Sequence, residues 1–412
     1  MFGGTFSIGL VVGDMNTLLR TFDHKLSTTV LISIVYPLGP AAIILMPMLV
    51  GGVIDDFGFS EREAGYIAAA EAMGLVVASL LAALWIRKIS WTTMLLIGFL
   101  STAILNILSA NISAFEPLLA ARFMAGMTGG TIFAVTVAAL GDNRQPDQAF
   151  GIAQIVQGAM MFVAFAAAPS IMAQWTVSGL YYMLAAASIL MLLVLWRYPS
   201  AGADRVAAST DSGDTNSNTG LIWMGLVASF LFFANIFGFW TYIERIGQAS
   251  GLAPETIGWA LGLSQFAAIL GAGMAVFAGD RYGRALPLLV SLIGLMATLW
   301  LLRGQFSAFS FYLGAGVFQG LFVLANSYQL GVIAKMDVKG HFLVLVTGFQ
   351  GLGAAIGPGV AASLIDEGSY VQINQVAALS CALSILMFLF IIYRTRHLRS
   401  LHLTNGVSST HG

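Results

Sequence analysis

The stretches GFSEREAGY, at residues 58–66, and GLAPETIGW, at residues 251–259, follow one pattern. Each begins with glycine, has a second glycine seven positions later and ends with an aromatic residue. The same offset of 193 residues places Gln157-Gly158 on Gln350-Gly351, and an offset of 194 places Phe115, Leu119, Ala121 and Gly126 on Phe309, Leu313, Ala315 and Gly320. The near-constant offset predicts that the chain consists of two similar halves.

The composition indicates whether these halves are surrounded by water or by lipid. Hydrophobic residues make up 58% of the 412 residues and charged residues 9%, with a mean hydropathy of +0.86. A soluble domain is about 45–50% apolar and about 25% charged, so this chain lacks the polar surface that water requires. Its one cysteine excludes an internal disulfide. We predict an integral membrane protein with no metal and no cofactor. We also predict no nucleic-acid partner, since no basic stripe is present.

Apolar stretches of membrane-spanning length, about 20 residues each, occur twelve times. They lie near residues 28–50, 63–85, 91–110, 115–139, 149–172, 178–196, 221–243, 255–278, 285–302, 308–333, 342–364 and 371–393. A polar, Ser- and Asp-containing stretch separates the sixth from the seventh. The predicted fold is all-α, with 12 transmembrane helices as two pseudo-symmetric six-helix bundles. Its parts are a cytoplasmic segment (1–27), the first bundle (28–197), a flexible cytoplasmic linker (198–220), the second bundle (221–394) and a cytoplasmic tail (395–412).

Lysine and arginine predict the orientation. With a cytoplasmic N-terminus, 14 of the 18 basic residues fall on the inner side and 3 on the outer side, and Arg122 lies within a helix. The positive-inside rule therefore places both termini in the cytoplasm, and we expect the inner or plasma membrane. Residues 1–14 make a poor signal peptide. They are either a disordered tail or precede a start at Met15.

Two ionisable residues are predicted at membrane depth. Glu71 lies about eight residues into the second helix and Arg122 about seven residues into the fourth, both counted from the outer face. A charge near the bilayer centre costs about 2.5–3.5 kcal/mol, so it needs a partner or a water-filled cavity. Equal depth permits a Glu71–Arg122 pair. Three interpretations stay open: proton coupling, a purely structural pair, or no contact.

Two motifs resemble those of the major facilitator superfamily of transporters. AGDRYGRAL, between the eighth and ninth helices, resembles its short Asp-Arg-x-Gly-Arg signature, and RFMAGMTGG in the fourth helix resembles its Arg-x-x-x-Gly pattern. The resemblance implies that the first motif forms a cytoplasmic latch between the bundles (Asp280, Arg281, Gly283 and Arg284). It also implies that Arg122 acts in proton coupling or substrate binding.

The resemblance further implies a substrate cavity lined by the first, fourth, seventh and tenth helices. Gln157 and Gln350, which the repeat relates, would face each other across the pseudo-twofold axis. The other cavity candidates are Tyr36, Asn235, Trp240, Asn326, Tyr328 and Gln329. They suit a small, partly apolar organic solute, including one whose carboxylate would bind Arg122. Asp55 and Asp56 are predicted to be solvated loop charges.

The expected function is transport by a monomeric alternating-access carrier rather than enzymatic catalysis. The histidines form no catalytic cluster and no P-loop is present. The stretch LMPMLVGGVIDDFGFSEREAGYIAAAEAMG, at residues 45–74, resembles the drug- and sugar-efflux branch of the superfamily, which favours proton-coupled export. Proton-coupled uptake of a small organic acid stays open, as do a channel and a non-transporting sensor.

Overall fold

The computed structural model describes residues 26–143, 145–200, 219–279, 281–336, 341–365 and 370–408. Within these ranges the chain is helical and contains no strand, which confirms the prediction of an all-α membrane protein. Most of the predicted N-terminal segment and linker, the end of the tail and Asp280 lie outside the described residues.

The described residues form twelve membrane helices, α1 to α12, in the predicted order. The first spans residues 26–57 in pieces, and the fifth and sixth occupy residues 146–174 and 177–192. The other bounds are Glu61–Trp85 (α2), Trp91–Ser109 (α3), Phe115–Gly141 (α4), Thr219–Ala249 (α7), Pro254–Ala278 (α8), Ala285–Leu301 (α9), Ala308–Met336 (α10), His341–Ser363 (α11) and Val371–Ser408 (α12).

The first helix differs from the continuous span that its apolar sequence predicts. Its pieces are Leu26–Val35, the 3₁₀ turn Tyr36–Leu38, Ala41–Ile44 and Met46–Phe57. The sequence YPLGP at residues 36–40 explains the interruption, because proline removes a backbone donor and its ring clashes with the preceding turn. The α5–α6 boundary falls at Trp175 and Thr176, whose backbones leave the helical region.

The duplicated stretch has the same structural role in both halves. Gly58 and Gly251 adopt left-handed backbones with φ of 73° and 77° just before α2 and α8 begin. Ser60 then caps α2, since its hydroxyl accepts from the backbone N–H of Glu63. The repeated sequence therefore encodes a tight turn followed by a helix start.

The second glycine of each copy lies where the bundles pack together. A Cβ atom on Gly65 of α2 would meet Tyr242 of α7, and one on Gly258 of α8 would meet the carbonyl of Phe165 on α5 at 2.7 Å. Only glycine permits these close approaches. The repeat therefore marks two places, near the start of α2 and near the start of α8, where one bundle contacts the other.

Candidate functional site

The structure brings Glu71 and Arg122 together as a buried ion pair. The guanidinium meets both carboxylate oxygens: Nε lies 3.2 Å from Oε2, and Nη2 donates to Oε1. Glu71 is 4% exposed and Arg122 is 1% exposed. A charge that is this deeply enclosed is stable only when it is paired and hydrogen-bonded.

Arg122 also has partners on the side away from Glu71. Its Nη1 donates to Oδ1 of Asn106 at 2.9 Å and to the hydroxyl of Ser109 at 3.3 Å. The ring of Tyr181 lies 4.9 Å from the guanidinium carbon, within cation–π range. These three neighbours hold the arginine in place independently of the carboxylate, and the sequence reasoning did not identify them.

The α4 motif has a direct physical basis in the approach of α2. Gly126 lies one turn from Arg122, on the same face of α4. A Cβ atom at Gly126 would meet the backbone carbonyl of Glu71, and one at Gly74 would meet that of Phe123. The Arg-x-x-x-Gly spacing thus supplies both the cation and the space that lets the carboxylate reach it.

The interrupted part of α1 covers the ion pair. A cavity of about 20 Å³ separates the pair from α1, and its lining includes Gly39, Ala42, Thr102 and Asn106. This volume accommodates about one water molecule, so it is far too small for an organic solute. The two prolines that interrupt α1 were the available signal for this cover in the sequence.

Trp240, a predicted cavity residue, lies at a contact between the bundles. Its indole N–H donates to the carbonyl of Ile44 on α1 at 3.0 Å, and its ring meets Phe165 of α5 edge-on at 6.1 Å. Trp240 therefore joins α7 of the second bundle to α1 and α5 of the first bundle.

Asn326 and Gln350, two further predicted cavity residues, form a hydrogen-bonded pair. Nε2 of Gln350 on α11 donates to Oδ1 of Asn326 on α10 at 2.8 Å. Both side chains are half-buried. Phe322, one turn before Asn326, packs against Phe233 and Phe237 of α7. These rings and amides lie together in the second bundle.

Two predicted cavity residues lie in the first bundle. Tyr36 is buried in the α1 interruption and packs against Phe133 of α4, with ring centroids 5.5 Å apart. Gln157 is half-buried on α5 and donates to Gln154 at 3.4 Å. Gln157 and Gln350 each have a hydrogen-bond partner in their own bundle.

Three others are buried within the second bundle. Tyr328 donates to the carbonyl of Gly279 at the end of α8 at 2.8 Å. Gln329 is fully buried, and both of its amide atoms lack a hydrogen-bond partner among the described residues. Asn235 lies two turns from Ala228, on the face where the Ala228 carbonyl accepts from Ser384 of α12, so it faces away from the other bundle.

The described part of the predicted latch lies within the second bundle. Gly283 has a left-handed backbone with φ of 66°, and the Arg284 guanidinium lies beside Gly331 of α10. Arg281 is exposed and lies over the Phe277 ring at 5.2 Å. Asp280 itself lies outside the described residues.

The corresponding position in the first half holds a different ion pair. Arg87 binds Asp142 at the end of α4 through two bonds of 2.5 and 2.9 Å. The Asp142 carboxylate raises the pKa of Arg87, chiefly through these hydrogen bonds. Arg87 is among the 14 basic residues that the sequence places on the inner side, and its pairing with Asp142 is a finding of the structure.

An inter-bundle gate (Asp55, Glu61, Arg245 and Tyr370) joins the bundles at the end where α1 meets α2. The Arg245 guanidinium binds both carboxylate oxygens of Asp55 at 2.6 and 2.9 Å. Tyr370 donates to the Glu61 carboxylate. Burial, followed by the hydrogen bond to Glu61, raises the pKa of Tyr370, so the hydroxyl remains a donor.

Asp55 and Asp56 are exposed, as predicted for solvated charges, but they lie in a helix rather than a loop and both have partners. Asp55 is paired with Arg245, and Asp56 accepts from the backbone N–H of Val177 at 2.5 Å, at the start of α6. Both aspartates lie in the last turn of α1, which ends at Phe57. The predicted span ended at residue 50, and this early end concealed their contacts.

Within the described residues, no group of three or more His, Cys, Asp or Glu side chains is placed to hold a metal ion. Nine described helical stretches are long and apolar enough to cross a membrane, one of which (Gln148–Arg197) contains both α5 and α6, and α1 and α9 contain shorter apolar helices.

Comparisons with known proteins give a consistent result for the fold. The family model described as Major Facilitator Superfamily matches residues 29–243 and 225–406. Solved structures with similar folds include the nucleoside transporter NupG, at 15% identity and a TM-score of 0.69, which covers 90% of this chain and 98% of its own. The D-xylose-proton symporter shares 12% identity with a TM-score of 0.72, covering 90% and 97%.

A third similar structure is a bacterial homolog of the human lysosomal transporter Spinster. It shares 12% identity with a TM-score of 0.67, and the alignment covers 90% of this chain and 96% of the homolog. A comparison with curated protein sequences gives no significant match.

Proposed function

This chain belongs to the Major Facilitator Superfamily, and we propose that it exports a small, partly apolar organic solute in exchange for protons. Membership makes it an integral membrane transporter rather than an enzyme. The substrate, the direction of transport and the coupling ion are the parts that we propose.

The observation that carries the proposal is the buried Glu71–Arg122 pair. A titratable carboxylate enclosed in a membrane helix bundle is costly, so such residues are rare and usually mark a functional site. Protonation of Glu71 would remove its charge and weaken its attraction to Arg122. Because Asn106, Ser109 and Tyr181 also hold the arginine, Glu71 can change charge while Arg122 stays in position.

Alternating access would follow from the two ends of the inter-bundle seam. The gate closes one end through Asp55–Arg245 and Tyr370–Glu61. With both termini in the cytoplasm, as the basic residues indicate, this closed end would face outward. The latch motif around Arg281 and Arg284 would act at the opposite end, when the bundles rock toward each other.

Export is favoured by the α1–α2 sequence, which resembles the drug- and sugar-efflux branch. The solved structures share 12–15% identity with this chain and therefore support the fold alone. Uptake of a small organic acid would need a cation facing the substrate. Arg122 is enclosed and bound to Glu71, so an organic acid has less support than a solute without a carboxylate.

The remaining parts of the proposal concern location and partners. We infer a monomer in the inner or plasma membrane, with both termini cytoplasmic and with lipid, protons and the solute as its partners. The two bundles would span residues 28–197 and 221–394, joined by a cytoplasmic linker at 198–220.

The test uses purified protein in proteoliposomes under imposed pH gradients. Labelled organic solutes are screened for flux, and counterflow distinguishes a carrier from a channel. In Glu71→Gln, pH-driven flux should disappear while counterflow persists, because the substitution preserves the shape but removes the titration. Glu255→Gln is the matched control, since Glu255 is exposed in the first turn of α8.

Two results would contradict the proposal. If pH-driven flux survives intact in Glu71→Gln, Glu71 is not the coupling group. If a pH gradient changes flux in neither direction, the transporter is not proton-coupled. The sensor alternative predicts no solute flux at all.

A further inference from the structure

One face of α7 points toward the first bundle. Trp240 and Glu244 contact α1 of the first bundle, through Ile44 and Gly51 respectively. Phe237 lies about one turn before Trp240 on the same face, and Phe233 lies one turn before Phe237. Their rings are half-buried. Since this face points at the first bundle at Trp240, helical periodicity directs the two rings toward the first bundle as well, beyond the α1 contact.

A third ring turns this face into an aromatic corner, which we define as Phe233, Phe237 and Phe322. Phe233 and Phe237 lie nearly parallel, with an interplanar angle of 20° and centroids 5.9 Å apart. Phe322 of α10 stands edge-on to both, at 5.4 and 6.3 Å. Rings in these two orientations offer a face and an edge to a further aromatic ring.

The Asn326–Gln350 pair lies one helical turn beyond the corner. Asn326 follows Phe322 by four residues and therefore shares its face of α10. Their mutual hydrogen bond uses the Asn326 carbonyl oxygen and one Gln350 donor. The Asn326 amino group and the Gln350 carbonyl oxygen supply a donor and an acceptor of neutral character.

The aromatic corner has no charged side chain near it on the helices of the second bundle; the first charge beyond Trp240 on α7 is Glu244, which lies against Gly51 of α1 and accepts from Gln248. Residues 219–243, 256–278, 308–334 and 342–363, which lie in α7, α8, α10 and α11, contain no Asp, Glu, Lys or Arg. In the first bundle, Glu71 and Arg122 neutralise each other beneath α1. An ionised ligand that left water for this space would lose its hydration without gaining a counter-charge.

We propose that the solute is a neutral, planar aromatic or heteroaromatic compound. It would stack in the aromatic corner and direct a polar edge toward Asn326 and Gln350. This inference rests on the proposed carrier function, for which it names the substrate class. It replaces the carboxylate-bearing solute that the sequence suggested, because Arg122 is bound to Glu71.

Equilibrium binding to the purified full-length protein in lipid nanodiscs tests this inference with four probes. Adenosine and nicotinamide are neutral and carry a planar heteroaromatic ring, benzoate is planar but anionic, and glucose is neutral and has no planar ring. At least one of the first two should bind saturably and at least tenfold more tightly than benzoate or glucose. Phe322→Leu should weaken that binding about tenfold, as expected for the loss of one stacking surface.

The matched control is Phe309→Leu on the same helix, because Phe309 is 75% exposed and lies away from the corner; it should bind normally. No binding by either neutral planar probe overturns the inference, as does tighter binding of benzoate or glucose. Unchanged affinity in Phe322→Leu also overturns it.

Flux measurements separate this inference from the carrier function. Counterflow of a solute that is not planar or not neutral, without binding of adenosine or nicotinamide, leaves the carrier intact and refutes the substrate class. Binding that depends on Phe322, without counterflow of the bound probe, supports the site and refutes the carrier.

Discussion

Gly126 of α4 lies directly against the backbone carbonyl of Glu71, one turn away from the arginine that binds the Glu71 carboxylate. The contact joins backbone to backbone, so no side-chain rotation can relieve it. The ion pair and the close helix approach therefore depend on each other: without the glycine, α2 could not bring its carboxylate to Arg122.

Gly126→Ala should consequently disrupt both stability and coupling. The added methyl group must push α2 away from α4, which we expect to cost about 1–3 kcal/mol. The measurements are the melting temperature in nanodiscs and pH-driven flux. Gly273→Ala is the control, because a Cβ atom there meets nothing within 4 Å. It should be neutral or slightly stabilising, and equal melting temperatures for the two variants would contradict the proposed packing constraint.

The Asp55–Arg245 pair should hold the gate closed. Asp55 is half exposed, so its contribution is modest, about 1 kcal/mol or less. Asp55→Asn should raise the alkylation rate of a cysteine placed at the buried position Met48 by up to about fivefold. The native Cys381 is buried, and the same variant without the new cysteine corrects for its background.

The charge-reversed double variant, Asp55→Arg with Arg245→Asp, distinguishes a gate from a local packing effect. It restores the ion pair across the bundles, so it should return alkylation toward the wild-type rate. If it instead alkylates faster than Asp55→Asn alone, the cross-bundle attraction is not what closes this end.

Tyr370 should make the gate sensitive to alkaline pH. Its pKa is raised by burial and by Glu61, so the folded state favours the protonated hydroxyl more than the unfolded state does. The stabilisation is therefore complete below the unfolded pKa of about 10 and is lost as the pH rises above it.

Tyr370→Phe removes this hydroxyl and tests the effect. At pH 8 it should lower stability by about 0.5–1.5 kcal/mol, the usual worth of a hydrogen bond. Between pH 8 and pH 11 its melting temperature should fall less than that of the wild type. An identical fall in both proteins would show that Tyr370 does not contribute to the alkaline sensitivity.

Much of the fold could be predicted because the lengths of the apolar stretches and the repeat can be read from the sequence without knowing any tertiary contact. The Glu71–Arg122 pair was also predictable, since two opposite charges at equal membrane depth have few other partners. In contrast, the gate pairs Asp55 with a residue 190 positions away. Both lie near helix ends, where hydropathy cannot separate a buried charge from a solvated one.

The cavity residues show a second limit. Asn235 and Trp240 belong to the same polar and aromatic set on α7, but they lie on different faces, toward α12 and α1 respectively. Residue type alone indicated that each could line a cavity. The side of the helix that faces the other bundle is set by tertiary packing, which the composition of one helix does not contain.

Gly351 provides a test of the seam itself. A Cβ atom there would lie 2.7 Å from Cγ2 of Val76, across the contact between α11 and α2. Gly351→Ala should therefore destabilise the described conformation relative to one in which the two helices separate. In a protein that also carries Met48→Cys, it should raise the alkylation rate of that cysteine. Because the clash involves a valine methyl group, adding Val76→Ala should remove it.

The double variant is the decisive comparison, because Val76→Ala alone leaves a cavity and costs stability by a different mechanism. In the double variant, alkylation of the reporter cysteine should return close to the rate seen without the two substitutions. This result would give a coupling energy of about 0.5–3 kcal/mol between Gly351 and Val76. Additive effects would instead mean that α2 and α11 do not pack at this position in the conformation populated in the membrane.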